Sequence, residues 1–208
     1  LYPGSTFVAD VKSTGLYASD PELQAYGAKA DYWKTGHSHM KRRVRDIGAL
    51  AGFEKSGHYF LAEPIGRGYD CGLRVAVEIF KLLDRNPDKS MSDLRRALPK
   101  TYATPTMSPY CADTEKYEVL ERLVAKLVAL HDAGGTLAGR KIAQVVTVNG
   151  ARVILDNGAW GLVRASSNTP NLVVVCESPE SDAEMRAIFN DIDAVIRTED
   201  AVGAYDQT

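Results

Sequence analysis

The sequence predicts an α/β protein: a mixed α/β domain followed by an α+β domain with one antiparallel sheet and helices on one face. Three observations carry this. In the first half, short β-favouring runs alternate with short helical segments, the pattern of a mixed sheet whose functional groups lie in the connecting loops. In the second half, an amphipathic helix is followed by apolar runs joined by tight-turn signals, which is how an antiparallel sheet reads. Between them Pro99, Pro105 and Pro109 break up a stretch with no sustained period. The boundary is therefore expected near Thr104-Pro105, giving domains over 1–104 and 105–208.

Taken in order, residues 7–11 form a short strand, and Ser19-Asp20-Pro21 is an N-cap followed by proline at the first helical position. That helix stops at Gly27. A strand over 30–33 turns at 35–38 into a helix over 39–47, capped by Ser38, and 49–53 returns as a buried strand. Residues 72–83 are apolar on nearly every side, which predicts a helix buried on more than one face. Ser92 is expected to cap a short helix through Leu98.

The second domain opens with a helix over 114–131, on which Tyr117, Leu120, Val124, Leu127 and Val128 share a face, closed by Gly134-Gly135. Strands over 145–148 and 153–155 flank Asn149-Gly150, the strongest short hairpin signal in the chain. Asp156-Asn157-Gly158 makes a further turn, strands follow over 160–163 and 172–176, and residues 185–196 form a last amphipathic helix. Trp33 and Trp160 read as packing anchors.

Composition limits the function. With 208 residues, 45% hydrophobic and 25% charged, the chain can bury one large or two modest cores. A net charge of -2 gives no general attraction to nucleic acid or membrane, and no apolar run reaches membrane-spanning length. Cys71, Cys111 and Cys176 are odd in number and widely spaced, so a reducing cytoplasm fits better than a disulfide framework. The opening LYPGSTFVADV, without an initiator Met, reads as part of something longer. Lys41-Arg42-Arg43 and Arg45 are expected to be a solvated helix face, and in the glycine-rich stretch 134–141 Arg140 stands where a phosphate loop requires Lys, with no Ser or Thr following.

The chemistry concentrates in residues 33–60, WKTGHSHMKRRVRDIGALAGFEKSGHYF, which hold Lys34, His37, His39, Glu54, Ser56 and His58. Gly36 and Gly57 adjoin histidines, where a missing side chain lets a ligand come close to the backbone. Cations, one carboxylate and hydroxyls together suit an anionic, hydroxyl-rich ligand such as a sugar phosphate. His37 and His39 have no third partner at ligand spacing, so no metal is expected here.

Four motifs go further. Asp10-Val11-Lys12, residues 33–38 (WKTGHS), residues 54–58 (EKSGH) and residues 160–170 (WGLVRASSNTP) occur in the order and spacing of the bacterial phosphomannomutase/phosphoglucomutases. The chain thus resembles the α-D-phosphohexomutase superfamily over its whole length, as the third and fourth of that family's four domains. The WKTGHS motif favours the glucose/mannose branch over the amino-sugar branch.

The resemblance implies that Glu54 and Ser56 hold sugar hydroxyls, that His58 supports catalysis near the transferred phosphoryl group, and that Lys12 and His37 line the pocket. It implies that Arg164, Ser166, Ser167 and Asn168 bind the phosphate that is not transferred. Ser166-Ser167-Asn168 stands where relatives commonly carry Ser-Asn-Thr, and Cys71 where they often carry a second Asp. The family's phosphoserine and Mg2+ loops belong to the N-terminal domains, so Mg2+ is expected only for the full-length enzyme, with its ligands outside this chain. The expected partners are hexose phosphates, hexose 1,6-bisphosphate and those N-terminal domains. A non-catalytic phosphosugar-binding module is the alternative.

Overall fold

A computed structural model describes residues 2–207, which group into two compact units divided between Lys100 and Thr101. In the first unit, β1 (Thr6–Asp10), β2 (Lys29–Trp33) and β3 (Ala51–Phe53) are parallel, and β4 (Tyr59–Leu61) pairs antiparallel with β3, in the order β2-β1-β3-β4. The chain passes from β1 to β2 through α1 (Leu16–Ser19) and α2 (Pro21–Ala25), and from β2 to β3 through α3 (His37–Asp46). Asp20 caps α2 as expected, accepting from the amides of Glu22 and Leu23.

Strand alternation sets which residues meet α3. Val8, Gly52 and Phe60 share one face of the sheet, where Val8 and Phe60 pack with Met40, Val44 and Ala49 as a buried cluster. A Cβ on Gly52 would lie 2.7 Å from Val44 Cγ2, so glycine is what lets α3 seat this closely. The opposite face carries Phe7, Phe53 and Tyr59, with Tyr17 of α1 stacked on Phe53 at 5.1 Å.

Three expectations change here. α3 starts at His37 behind Gly36, not at His39 behind Ser38, because Gly36 takes the cap position at φ 124. α5 (Met91–Arg96) is capped by Ser90 in a reciprocal box with Asp93, not by Ser92. Most clearly, α4 (Gly72–Asp84) has no buried residue: Leu73 is 83% exposed and Phe80 68%. Its apolar character describes what it could bury, and among the described residues nothing covers the Leu73–Val77–Phe80 stripe.

The second unit is a six-stranded sheet in the order β5-β10-β9-β8-β7-β6. Its strands are β5 (Tyr102–Ala103), β6 (Thr136–Leu137), β7 (Arg140–Val146), β8 (Ala151–Leu155), β9 (Trp160–Ala165) and β10 (Leu172–Ser178). All neighbouring pairs are antiparallel. The proline-broken stretch is not free of structure, since Tyr102–Ala103 pairs with β10 and Met107 bridges to Val174. The contact break between units therefore falls after Lys100, ahead of Thr104-Pro105. α6 (Lys116–Asp132) and α7 (Asp182–Ile196) join Ala151, Val153, Val163, Leu172 and Val174 in one core. Residues 134–141, set aside above as a phosphate loop, run through the β6–β7 hairpin. No helix among the described residues is long and apolar enough to cross a membrane.

Candidate functional site

In the first unit the functional groups sit where β1, β2 and β3 end. Asp10, the last residue of β1, is fully buried. Its Oδ1 accepts from Ser13 Oγ at 2.6 Å and from the Lys55 amide at 3.3 Å. Its Oδ2 accepts from Thr35 Oγ1 at 3.0 Å and lies 3.7 Å from Lys12 Nζ. One carboxylate thus ties together the loops after all three strands, and it keeps Lys12 near the strand ends.

Glu54 is buried at 5% exposure, and its Oε1 accepts from the Gly36 amide at 2.6 Å. It thereby satisfies a backbone donor at the start of α3, and it fixes the turn carrying His37. The Glu54 amide donates to the His58 carbonyl and the Gly57 amide to the Glu54 carbonyl, a tight loop that puts Ser56 at an exposed tip.

His58 is oriented by Asp70. Its Nδ1 lies 2.7 Å from Asp70 Oδ2, while Asp70 Oδ1 accepts from the Tyr59 amide at 3.2 Å. His37 Nε2 is 3.9 Å from the same Asp70 oxygen, and its ring meets Phe60 edge-on at 4.9 Å. The hydrogen bond to Asp70 raises the His58 pKa above its usual value, with the Asp70 and Glu54 charges adding to it. The same bond, foremost, holds Asp70 below the ordinary carboxylate range. A histidine bonded to carboxylate through Nδ1–H keeps Nε2 available to a ligand and accepts a proton readily.

Lys34 and His39 do not join this group. They line a separate cavity of about 240 Å³ with Trp33, Arg42, Arg43 and Asp46. Residues two apart on a helix point to opposite sides, so starting α3 at His37 separates His37 from His39. Among the described residues, no three His, Cys, Asp or Glu side chains are placed to hold a metal ion.

In the second unit Arg164 lies near the end of β9, on the face opposite the helix-packed Val163 and Ala165, and is 6% exposed. Its Nε donates to Asn149 Oδ1 at 3.2 Å. The β7–β8 turn thus steers the guanidinium as well as closing a hairpin, a role that the Asn-Gly signal does not reveal. Gly150, at φ 82, makes this possible: a Cβ there would lie 2.1 Å from the Val163 carbonyl oxygen and 2.8 Å from Arg164 Cα.

Beyond Arg164 the chain folds back on itself. Ser166 Oγ accepts from the Asn168 and Thr169 amides, both at 3.3 Å, and from Thr169 Oγ1 at 2.8 Å. Ser167 and Asn168 stand exposed at the tip. Ser166 therefore shapes the loop through its Oγ. A guanidinium fork beside a loop rich in hydroxyl, amide and carboxamide donors can bind a phosphate or carboxylate.

The likeness to known proteins is consistent along the chain. Residues 1–102 match the family described as "Phosphoglucomutase/phosphomannomutase, alpha/beta/alpha domain III", and residues 111–195 its "C-terminal domain". A phosphomannomutase/phosphoglucomutase of Pseudomonas putida is 34% identical over 186 residues, which are 89% of this chain and 36% of that protein. A phosphoglucomutase of Neisseria meningitidis is 32% identical over 197 residues, or 94% of this chain and 39% of that protein. The crystal structure of a Burkholderia thailandensis phosphoglucomutase/phosphomannomutase family protein superposes with a TM-score of 0.74 at 28% identity, over 94% of this chain and 38% of its own. The chain thus spans little more than a third of the length of these relatives. Matched over both of its units, the chain belongs to the phosphoglucomutase/phosphomannomutase family and carries its domain III and its C-terminal domain.

Proposed function

We propose that this chain is the recognition half of a phosphohexomutase that interconverts hexose 1-phosphates and 6-phosphates of the glucose/mannose type. Arg164 beside the residue 166–169 loop carries the reading, because a buried fork already steered by Asn149 is suited to hold a terminal phosphate. Ser167 and Asn168 supply donors at the loop tip, and Ser166 supplies its hydroxyl. In the first unit Glu54 and Ser56 would take sugar hydroxyls, with Lys12 and His37 completing the anionic ligand's surroundings. His58, held by Asp70, would present Nε2 to the phosphoryl oxygen or to the hydroxyl being phosphorylated and carry the proton there.

In the whole protein, the phosphoryl group would pass between a phosphoserine and the sugar through a hexose 1,6-bisphosphate. Positioning and charge stabilisation would do most of the catalysis. That phosphoserine and the Mg2+ ligands would lie in the N-terminal domains of the whole protein. A reducing cytoplasm is the proposed setting, since Cys71, Cys111 and Cys176 are odd in number and widely spaced in the sequence.

The test is a mutase assay on the 208-residue chain, alone and beside the full-length protein, together with calorimetry of glucose 1-phosphate. The expected result is binding without turnover for the chain and turnover for the full-length protein. Turnover by the chain alone would refute the division of labour, and a full-length protein that binds without turnover would make this a phosphosugar-binding module.

A further inference from the structure

Lys116 occupies a position that is unfavourable for a lysine on two counts. It is the first residue of α6, where the positive end of the helix dipole opposes a cation, and it is only 3% exposed, so its ammonium has lost most of its water. An ion pair alone does not account for this burial, because the partner, Asp113, has a side chain 67% exposed. Asp113 Oδ1, at 2.5 Å, could be reached from the surface.

The second contact of Lys116 requires the buried position. Nζ donates to the Thr169 carbonyl at 2.9 Å, across 53 residues of sequence. That carbonyl also accepts from the Asn171 amide at 2.8 Å. Thr169 in turn donates to Ser166 Oγ through both its amide and its hydroxyl, and Ser166 lies two residues after Arg164.

We infer that Lys116 is a positioning residue for the anion pocket of the second unit: its ammonium pins the Thr169 carbonyl and so holds residues 166–169 in the arrangement that receives an anion. The inference rests on the phosphate reading of that loop. Asp113 offsets the ammonium's charge, so the contribution is geometric: a loop already ordered loses less freedom when an anion binds.

The experiment uses the 208-residue chain with inorganic phosphate and glucose 1-phosphate as probes, read by calorimetry and by the amide resonances of residues 166–169. Lys116→Met should weaken both probes about tenfold and move the Asn168 and Thr169 resonances. Lys116→Arg, which can still donate to the carbonyl, should stay within about threefold of wild type, and Asp113→Asn within about twofold. Wild-type affinity in Lys116→Met, or an equal loss in Asp113→Asn, overturns the inference. If Lys116→Met does not fold, Lys116→Gln, a shorter polar side chain that falls short of the carbonyl, is compared with Asp113→Asn by the same criteria. Arg164→Ala separates the two ideas. Lost binding in Arg164→Ala with retained binding in Lys116→Met overturns the role of Lys116 alone, whereas no difference between Arg164→Ala and wild type overturns the phosphate reading and this inference with it.

Discussion

Replacing Gly150 with alanine tests how closely the β7–β8 turn is built against Arg164. Two costs are expected. The first is the left-handed backbone at φ 82, worth about 1 to 2 kcal/mol for a residue with a Cβ. The second is steric: the new methyl would sit 2.1 Å from the Val163 carbonyl oxygen, far inside van der Waals contact. Overpacking against backbone of this kind costs about 1 to 3 kcal/mol. Gly139 is the control, because it has φ 74 with nothing within 4 Å of its Cβ position, so Gly139→Ala carries the first cost only. The assay is urea unfolding followed by Trp160 emission in a Trp33→Phe background, since Trp160 is buried in the second unit. With a slope of about 1 to 3 kcal/mol per molar, Gly150→Ala should lower the midpoint well beyond Gly139→Ala. It should also weaken glucose 1-phosphate, because the methyl displaces Arg164. Equal midpoints for the two variants would show that the turn relaxes freely and that the close approach stores no energy.

Three other outcomes are expected. Asp70→Asn should lower the His58 pKa toward the ordinary 6.5, read from its ring proton by NMR, and an unmoved titration would refute the pairing. In the wild type the raised His58 pKa contributes stability that is complete below about pH 6.5 and lost as pH rises through the raised value. The lowered Asp70 pKa contributes stability that is present above its usual 3.8 and lost as pH falls through the lowered value. Arg164→Ala should cost about 2 to 4 kcal/mol in glucose 1-phosphate affinity by calorimetry, with Arg164→Lys restoring only part because an ammonium lacks the fork. If Glu54 and Ser56 hold the 3- and 4-hydroxyls, 3-deoxy and 4-deoxy sugar phosphates should bind poorly and 2-deoxy ones well. A 2-deoxy sugar that failed on wild type but matched the parent sugar on Glu54→Gln would mean that Glu54 holds a different hydroxyl.

The periodic parts of the chain were legible in the sequence because their signals are local. α2 announced itself through Asp20-Pro21 and the β7–β8 hairpin through Asn149-Gly150; α6 was legible as a helix, but its buried face is turned from the expected one, with Tyr117 56% exposed and Val119 and Leu123 fully buried beside Leu127. What was missed depends on partners far away in sequence. β4 is three residues long and exists by pairing with β3, while β5 exists by pairing with β10. The motif residues His37, Glu54 and His58 do come together, but the groups that hold them were not legible. Asp70 reaches His58 across a reversal of the chain, and Asn149 reaches Arg164 across a strand pair. Proximity in sequence groups Lys34 and His39 with the site, whereas a helix that starts at His37 puts His39 on another side of α3, beside Lys34 in the separate cavity.

The buried carboxylate of Asp10 means that the three loops it joins do not vary independently. A change at Thr35 frees an oxygen that Lys12 faces, and a change at Ser13 alters the oxygen shared with the Lys55 amide. Paired substitutions at Ser13 and Thr35 should therefore be non-additive, with a coupling energy of about 0.5 to 3 kcal/mol in a double-mutant cycle, while each paired with a distant surface change should sum simply. The same coupling restricts neutral drift: a loop graft from a relative should be tolerated only when all three segments are exchanged together, so these stretches are inherited as one block.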